Sequence, residues 1–599
     1  MRFFPRSIAA STCILLSAFA ILIQTSAPAA FASAYNAHPK LVVVIVIDQF
    51  RGDYLERYYD QFGEGGFRLL LDHGASFTDC NYDYANTRTA PGHTTLFTGA
   101  YSNAHGIAAN EWWDPQKKKM VTSVEDDNTK LVGVSPEQAK DKPGASPHNL
   151  LADTLGDELK LATQGQARVF SLSLKDRAAV LPGGFAADAA YWIDPKSGAW
   201  ITSTYYRPDL PKWAHDFDAS NRAAKYWDRE WKNADGEVLR STAHRKSNSK
   251  DGSDAGFYEV IGPTPFADEY ELEFAKELVV YEKLGAGQST DLLTISLSAN
   301  DILGHQLGPD SPEMAAMALA LDRELADWFA FLGHQVGLVN TLIALSADHG
   351  VSALPDAAKK LHIPAANLDA GNLQAEINAA VTAKFSPGHA ANYIKLDYPV
   401  AWLDQDAFAV SHVKERDAET AVGEAMKQAG LRDYFTKSQL AAGEVPATEM
   451  GKRYLHSYTP EGGWYVMGVP EPYTVGAAKG TDHASPYTYD THVPLAFYGL
   501  PFRPGTYRTH AEPVDMAVTV ASLLGINSPT HAVGRVLTEA LATSHYSETA
   551  SGSAGERNTS QTIREGHDLS RAVNRPGSTP ASAAEVDPNN ENTSERPPQ

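Results

Sequence analysis

The 599-residue chain carries 73 Asp and Glu against 51 Lys and Arg, a formal charge of −22, and 43% of its residues are hydrophobic. That apolar content supports a sizeable folded core, and the length exceeds one compact module. The acidic balance sets the surface against nucleic acid and anionic lipid as partners, and an anionic substrate would need positive charge supplied locally.

The chain opens on a targeting pattern. Arg2 and Arg6 precede an apolar run from about Ile8 to Ile23, and Ala30, Ala32 and Ala34 supply a small-residue cleavage site. Residues 1–34 therefore read as an export signal, and the mature protein as periplasmic or secreted with no stable membrane span. Polar and small residues interrupt the apolar run, which is short for a spanning helix. Cys13 leaves with the signal, so Cys80 remains alone and no internal disulfide is expected. Cys80 itself reads as a small buried apolar residue.

Leu41 to Ile47 is a continuous apolar run, as in strands buried on both faces of a parallel sheet, and it ends at Asp48. Leu292 to Leu297 repeats the pattern and leads into Asn300 and Asp301. Thr341 to Leu345 leads into Asp348 and His349, and Val493 to Tyr498 is a fourth, shorter case. Glu313 to Phe331 has helical apolar spacing. Pro513 to Leu524 reads as a closing helix with proline in its first turn. Strand, polar loop and helix in repetition predict an α/β fold, a doubly wound and mostly parallel sheet flanked by helices. Residues 183–268 and 352–476 interrupt the pattern and read as insertions that cap the site. Trp192, Trp200, Tyr205 and Tyr206 in the first are assigned to packing. Residues 35–545 form the main domain, and 546–599, poor in apolar residues, read as a disordered tail.

Ligands of such sheets lie beyond the carboxyl ends of the strands, where Asp48, Asp301, Asp348 and His349 all fall. Asp301 and His305 are four apart in NDILGH, Asp348 and His349 adjoin in SADHG, and His483 sits in GTDHASPY. Carboxylate and imidazole together suit zinc. His492 competes with His483 but abuts the fourth apolar run, and His93 reads as a support or helix-start contact. Thr89, in TRTAPGHTTLFTG, precedes a Pro-Gly pair and a predicted helix. From local sequence it is equally a helix cap or a metal-activated nucleophile. Lys175 and Arg177, in SLKDR, read locally as a solvated turn.

Six stretches together are more specific: VIDQFRGDYLERY, NTRTAPGHTTLFTGAYSNAHGIAANEWWD, SLKDRAAVLPGG, SANDILGHQLGPDS, LSADHG and GTDHASPYTYDTHVPLAFYG. They span most of residues 40–526 and resemble the phosphate-irrepressible alkaline phosphatases, in the nucleotide pyrophosphatase/phosphodiesterase branch of the alkaline phosphatase superfamily. The resemblance implies a phosphomonoesterase with two zinc ions that works through a phosphothreonine. It implies Asp301, His305 and His483 on one zinc, and Asp48, Asp348 and His349 with the nucleophile Thr89 on the other. It implies that Asn110, Lys175 and Arg177 contact phosphoryl oxygens. Ala484 departs from the glycine frequent at its position. The alternative is a phosphodiesterase or nucleotide pyrophosphatase on the same metals. A sulfatase is disfavoured, because no C-x-P-x-R or S-x-P-x-R motif stands where TAPGH stands.

Overall fold

The computed structural model describes residues 38–248, 252–386 and 392–542. The signal and tail readings, 1–34 and 546–599, lie outside the described residues.

The strands of the main sheet, in chain order, are β1 (Leu41–Ile47), β2 (Ala75–Phe77), β3 (Leu131–Val132), β4 (Val169–Ser173), β5 (Ala189–Ile193), β6 (Trp200–Ser203), β7 (Asp291–Leu297), β8 (Thr341–Ser346), β9 (Leu495–Tyr498) and β10 (Gly505–Tyr507). Their spatial order is β10-β2-β9-β8-β1-β7-β4-β5-β6-β3. The helices that matter below are α1 (Thr89–Thr98), α2 (Asp176–Gly183), α3 (Pro265–Tyr281), α4 (Ala299–Leu307), α5 (Pro312–Gln335) and α6 (Asp515–Leu524).

The central strands β8, β1, β7, β4 and β5 are mutually parallel. Every residue of β1 is fully buried, as its unbroken apolar run requires. Register matters more for function. Leu41 pairs with Asp291 on one side and Thr341 on the other, and Ile47 ends level with Leu297. Strands in this register finish together, so the residues that follow them are delivered to one edge. The fold is thus the expected large, mostly parallel sheet flanked by helices.

Three details differ from the sequence reading. The fourth apolar run forms β9, which is antiparallel: Leu495 lies opposite Ser346 and Tyr498 opposite Ile343. Burial on both faces reports environment and carries no information about direction. The antiparallel course has a use, since the chain enters β9 from the edge where β8 ends and so carries His483 there. Within 183–268, residues 189–203 belong to the main sheet rather than to a separate unit. β5 and β6 extend the main sheet, and Trp200 stacks on Phe274 of α3 at 4.0 Å. Finally, Pro513 lies outside α6, which begins at Asp515 after a turn closed by Asp515 N donating to Glu512 O.

Residues 352–476 build their own layer. Strands Ile394–Asp397, Val400–Leu403, Tyr465–Val469 and Asp433–Thr436 pair in that order as an antiparallel sheet. Helices Ala370–Phe385 and Glu415–Gln428 cover a core that includes Ile377, Tyr393, Phe408 and Val422. Among the described residues no helix is long and apolar enough to cross a membrane.

Candidate active site

Asp48 follows β1, and Asp348 and His349 follow β8. All three are fully buried, and one ligand atom from each lies within 4.8 Å of the others. His349 Nε2 is 3.6 Å from Asp48 Oδ1 and 3.5 Å from Asp348 Oδ2. None of these three atoms has a hydrogen-bond partner. Buried polar atoms are almost always satisfied, and orphans that converge on one point fit a cation that would join them.

Asp301 and His305 sit one turn apart on α4, as their i,i+4 spacing dictates, with His305 Nε2 3.1 Å from Asp301 Oδ1. His483 reaches the same place from the loop before β9. Its ring stacks on that of His349 at 3.7 Å and stands 5.1 Å from that of His305. Here the structure groups ligands differently from the predicted trio. Asp301, His349 and His483 form one close set, and His305, Asp482 and His483 another. Asp482 was not singled out in the sequence, although it stands beside His483 in GTDHAS.

The three histidines share one support. Nδ1 of His305, His349 and His483 donates to the carbonyls of Thr481, Gly350 and Thr87, at 3.0, 2.9 and 2.6 Å. With the proton held at Nδ1, neutral His349 and His483 keep the Nε2 lone pair toward the site, as metal-binding imidazoles do, while Nε2 of His305 faces Asp301 Oδ1. His105 is the contrast. Its Nδ1 accepts from Ile107 N, so its proton is on Nε2 facing Thr95, and it is structural. His492 is structural as well, with Nε2 near Thr78 O and its ring packed over Gly52.

The electrostatics suit a cation site. Burial, then Asp301 and Asp348, pushes the Asp48 carboxyl well up against the opposing pull of Lys175. Burial resists ionisation of Asp348, yet His349 and His93 hold it below the usual carboxylate range. Burial keeps His349 and His483 neutral. Burial opposes charge on His305 too, but Asp301 and Asp482 outweigh it and raise its pKa to about 10.

Thr89 opens α1. It is not the cap, because Arg88 occupies that position and no side chain caps the helix. The helix packs hard against the cluster: a Cβ at Gly92 would meet Asp348 O at 2.1 Å, so only glycine fits. His93 Nδ1 donates to Thr89 O at 2.8 Å, and its Nε2 meets Ser296 of β7 at 2.7 Å. Asn110 Oδ1 accepts from Ala90 N at 2.8 Å, which fixes its carboxamide at the start of α1.

Lys175, at the start of α2, is buried rather than solvated. Its Nζ donates to Asp48 Oδ2 at 2.6 Å and to Asp301 Oδ2 at 2.5 Å, bridging the two ligand sets, and these carboxylates hold it protonated despite burial. Arg177 lies beside it, 3.8 Å from Asp176. Both line a cavity of about 490 Å³ together with Trp192, Ile201 and Tyr258. A smaller cavity of about 250 Å³ is lined by His305, Asp482, His483 and Asn110 together with Leu396 and Tyr398 of the 352–476 layer.

Gln49 is the largest omission of the sequence reading. Its Nε2 donates to Asp301 Oδ1 at 2.7 Å and its backbone N to Asp348 Oδ1 at 3.0 Å, so it ties the two sets together. It does so at φ 64°, a left-handed conformation costly for a side-chain-bearing residue. Its place directly after Asp48 was the available signal.

The chain also resembles known proteins over most of its length. Residues 42–456 match the type I phosphodiesterase/nucleotide pyrophosphatase family. The chain is 34% identical over 537 residues to alkaline phosphatase PhoV of Synechococcus elongatus, covering 84% of this chain and 93% of that one. It is 33% identical over 539 residues to a protein of Myroides odoratus named calcium-transporting ATPase, covering 86% and 96%. The crystal structure of wild-type alkaline phosphatase PafA superposes with a TM-score of 0.75 at 33% identity, covering 84% of this chain and 99% of that one.

Proposed function

Because this chain belongs to the type I phosphodiesterase/nucleotide pyrophosphatase family, alongside alkaline phosphatases of that branch, we propose that it is an exported phosphomonoesterase that cleaves phosphate monoesters through Thr89 and releases inorganic phosphate. The observation that carries the reading is the convergence of three unpartnered, buried ligand atoms, on Asp48, Asp348 and His349, beside a helix that begins at the candidate nucleophile. Export rests on the pattern in residues 1–34.

Asp48, Asp348 and His349, with Thr89, would hold one zinc ion, and Asp301, His305 and His483 the other. Bound there, two zinc ions supply the charge that stabilises the threonine alkoxide and the departing ester oxygen. The chain does the rest. Thr89 Oγ, having lost its proton to solvent, attacks phosphorus in line with the ester bond. The P–O bond to the alcohol breaks and phosphothreonine forms. Asn110, held by Ala90 N through its Oδ1, presents its amide N–H groups to a phosphoryl oxygen. Lys175 and Arg177 donate to the remaining oxygens, and their charges match the monoester dianion in a surface that is otherwise acidic. Water then attacks phosphothreonine, restoring the hydroxyl and releasing phosphate.

The closest rival is a phosphodiesterase on the same metals. The burial of Lys175 between Asp48 and Asp301 favours the monoesterase, since a fixed cation there suits two charged oxygens better than one oxygen and an ester group. Initial rates on an aryl phosphate and its methyl diester, with metal-replete protein, test the assignment. Preference for the diester would transfer it to the rival.

A further inference from the structure

The residue before the candidate nucleophile is tied to the 352–476 layer. Resting on the reading that Thr89 attacks phosphorus, we propose that Arg88 is a positioning residue through which that layer holds the threonine in place.

Arg88 is only 6% exposed and caps α1 with extended backbone, yet its side chain does not turn back onto the helix. Nη1 donates to Asp397 Oδ2 at 2.7 Å. Nη2 donates to Asp397 O at 3.2 Å and also to Tyr398 O. Both acceptor residues stand at the hairpin between strands Ile394–Asp397 and Val400–Leu403. A planar guanidinium held by three acceptors fixes direction as well as distance, which a lysine cannot do.

The preceding residues depend on the same layer. Ser457 Oγ accepts from Ala85 N at 2.7 Å and from Asn86 N at 3.2 Å, and His456 Nδ1 donates to Asp83 O at 2.8 Å. Main-chain groups that a strand ladder would ordinarily satisfy are met here by side chains of helix Glu449–Ser457. The approach to Thr89 is therefore built by contacts between layers rather than by local secondary structure. A nucleophile needs its attacking atom near 3 Å from phosphorus and in line, and a misplacement of about 1 Å costs on the order of a hundred-fold.

The test compares Arg88→Ala, Arg88→Lys, Asp397→Ala and the double Ala variant with wild type. The readouts are kcat and KM on an aryl phosphate, metal content, and acid-trapped phosphate on Thr89. Arg88→Ala and Asp397→Ala are expected to lower kcat about ten- to a hundred-fold with KM and metal content unchanged. Arg88→Lys should recover part of the loss, and the double variant should be no worse than Arg88→Ala. If Arg88→Ala does not fold, Asp397→Asn carries the same test with a smaller drop in kcat. A folded Arg88→Ala or Asp397→Asn at the wild-type kcat overturns the proposal, as does a loss confined to metal content. Wild-type protein that neither hydrolyses the ester nor takes label on Thr89 overturns the assigned reaction, and the positioning role with it.

Discussion

The two halves of the ligand cluster are built in different ways. Asp48, Asp348 and His349 come directly off the ends of β1 and β8 and have no exposed surface. Asp301, His305 and His483 come from a helix and a loop, with side chains 6%, 35% and 7% exposed. The inner half takes its rigidity from the centre of the sheet. The outer half is only as stiff as the hydrogen bonds from His305 to Thr481 and from His483 to Thr87. This division suits the proposed chemistry: the nucleophile belongs with the stiff half, and the alcohol leaves past the open half toward the smaller cavity.

The most severe way to break the inner half is to remove its nucleophile. Thr89→Ala should lower kcat/KM on an aryl phosphate by on the order of 10⁴-fold or more with the fold intact by circular dichroism. Thr89→Ser should keep substantial activity, since a hydroxyl remains to attack. Wild-type turnover by Thr89→Ala would exclude the covalent route.

The contrast between the halves is tested by metal content. Wild-type protein should carry about two zinc ions per chain, and chelation should withdraw the outer ion before the inner one. His305→Ala should retain about one ion, whereas His349→Ala should lose more metal and unfold at a lower temperature, because it removes a fully buried ring and leaves a cavity at the centre of the site. Simultaneous release of both ions, or equal loss in the two variants, would show that burial does not rank the sites.

Lys175 joins the halves, so its removal with Arg177 probes what lies between them. Two charge-assisted hydrogen bonds at roughly 1.5–3 kcal/mol each imply a loss of about a hundred-fold or more in monoester kcat/KM for Lys175→Ala/Arg177→Ala. Diester hydrolysis should fall little. Equal losses on an aryl monoester and its methyl diester would make the pair structural.

The mildest test addresses the loop of the outer half. Ala484, next to His483, has φ 75°, which explains the family's frequent glycine there. Ala484→Gly should therefore stabilise the protein by about 1 kcal/mol in reversible denaturant unfolding. A lower stability would mean that the alanine side chain contributes packing that outweighs the strain.

Much of the site was legible one residue at a time. Asp48, Asp348 and His349 follow unbroken apolar runs, and a run buried on both faces of a parallel sheet has few other meanings. The four-residue step from Asp301 to His305 places both on one helical face whatever the surroundings. Cys80 is buried, as expected of a lone cysteine that behaves as a small apolar residue. By contrast, Lys175 and Arg177 read locally as a solvated turn, and only family resemblance lifted them above it. Trp192 packs in a buried apolar cluster, as assigned, and also lines the cavity beside them.

Periodicity and residue type, being local, therefore determine which segments become strands and helices and which side chains can ligate metal or attack phosphorus. They are silent on direction and on contacts between distant segments. The reversal of β9, the bridge of Lys175 between Asp48 and Asp301, the clasp of Arg88 on Asp397 and the role of Gln49 join residues far apart in the chain. Such pairings depend on packing a whole core at once, because a buried polar group is tolerable only where the finished fold supplies its partner.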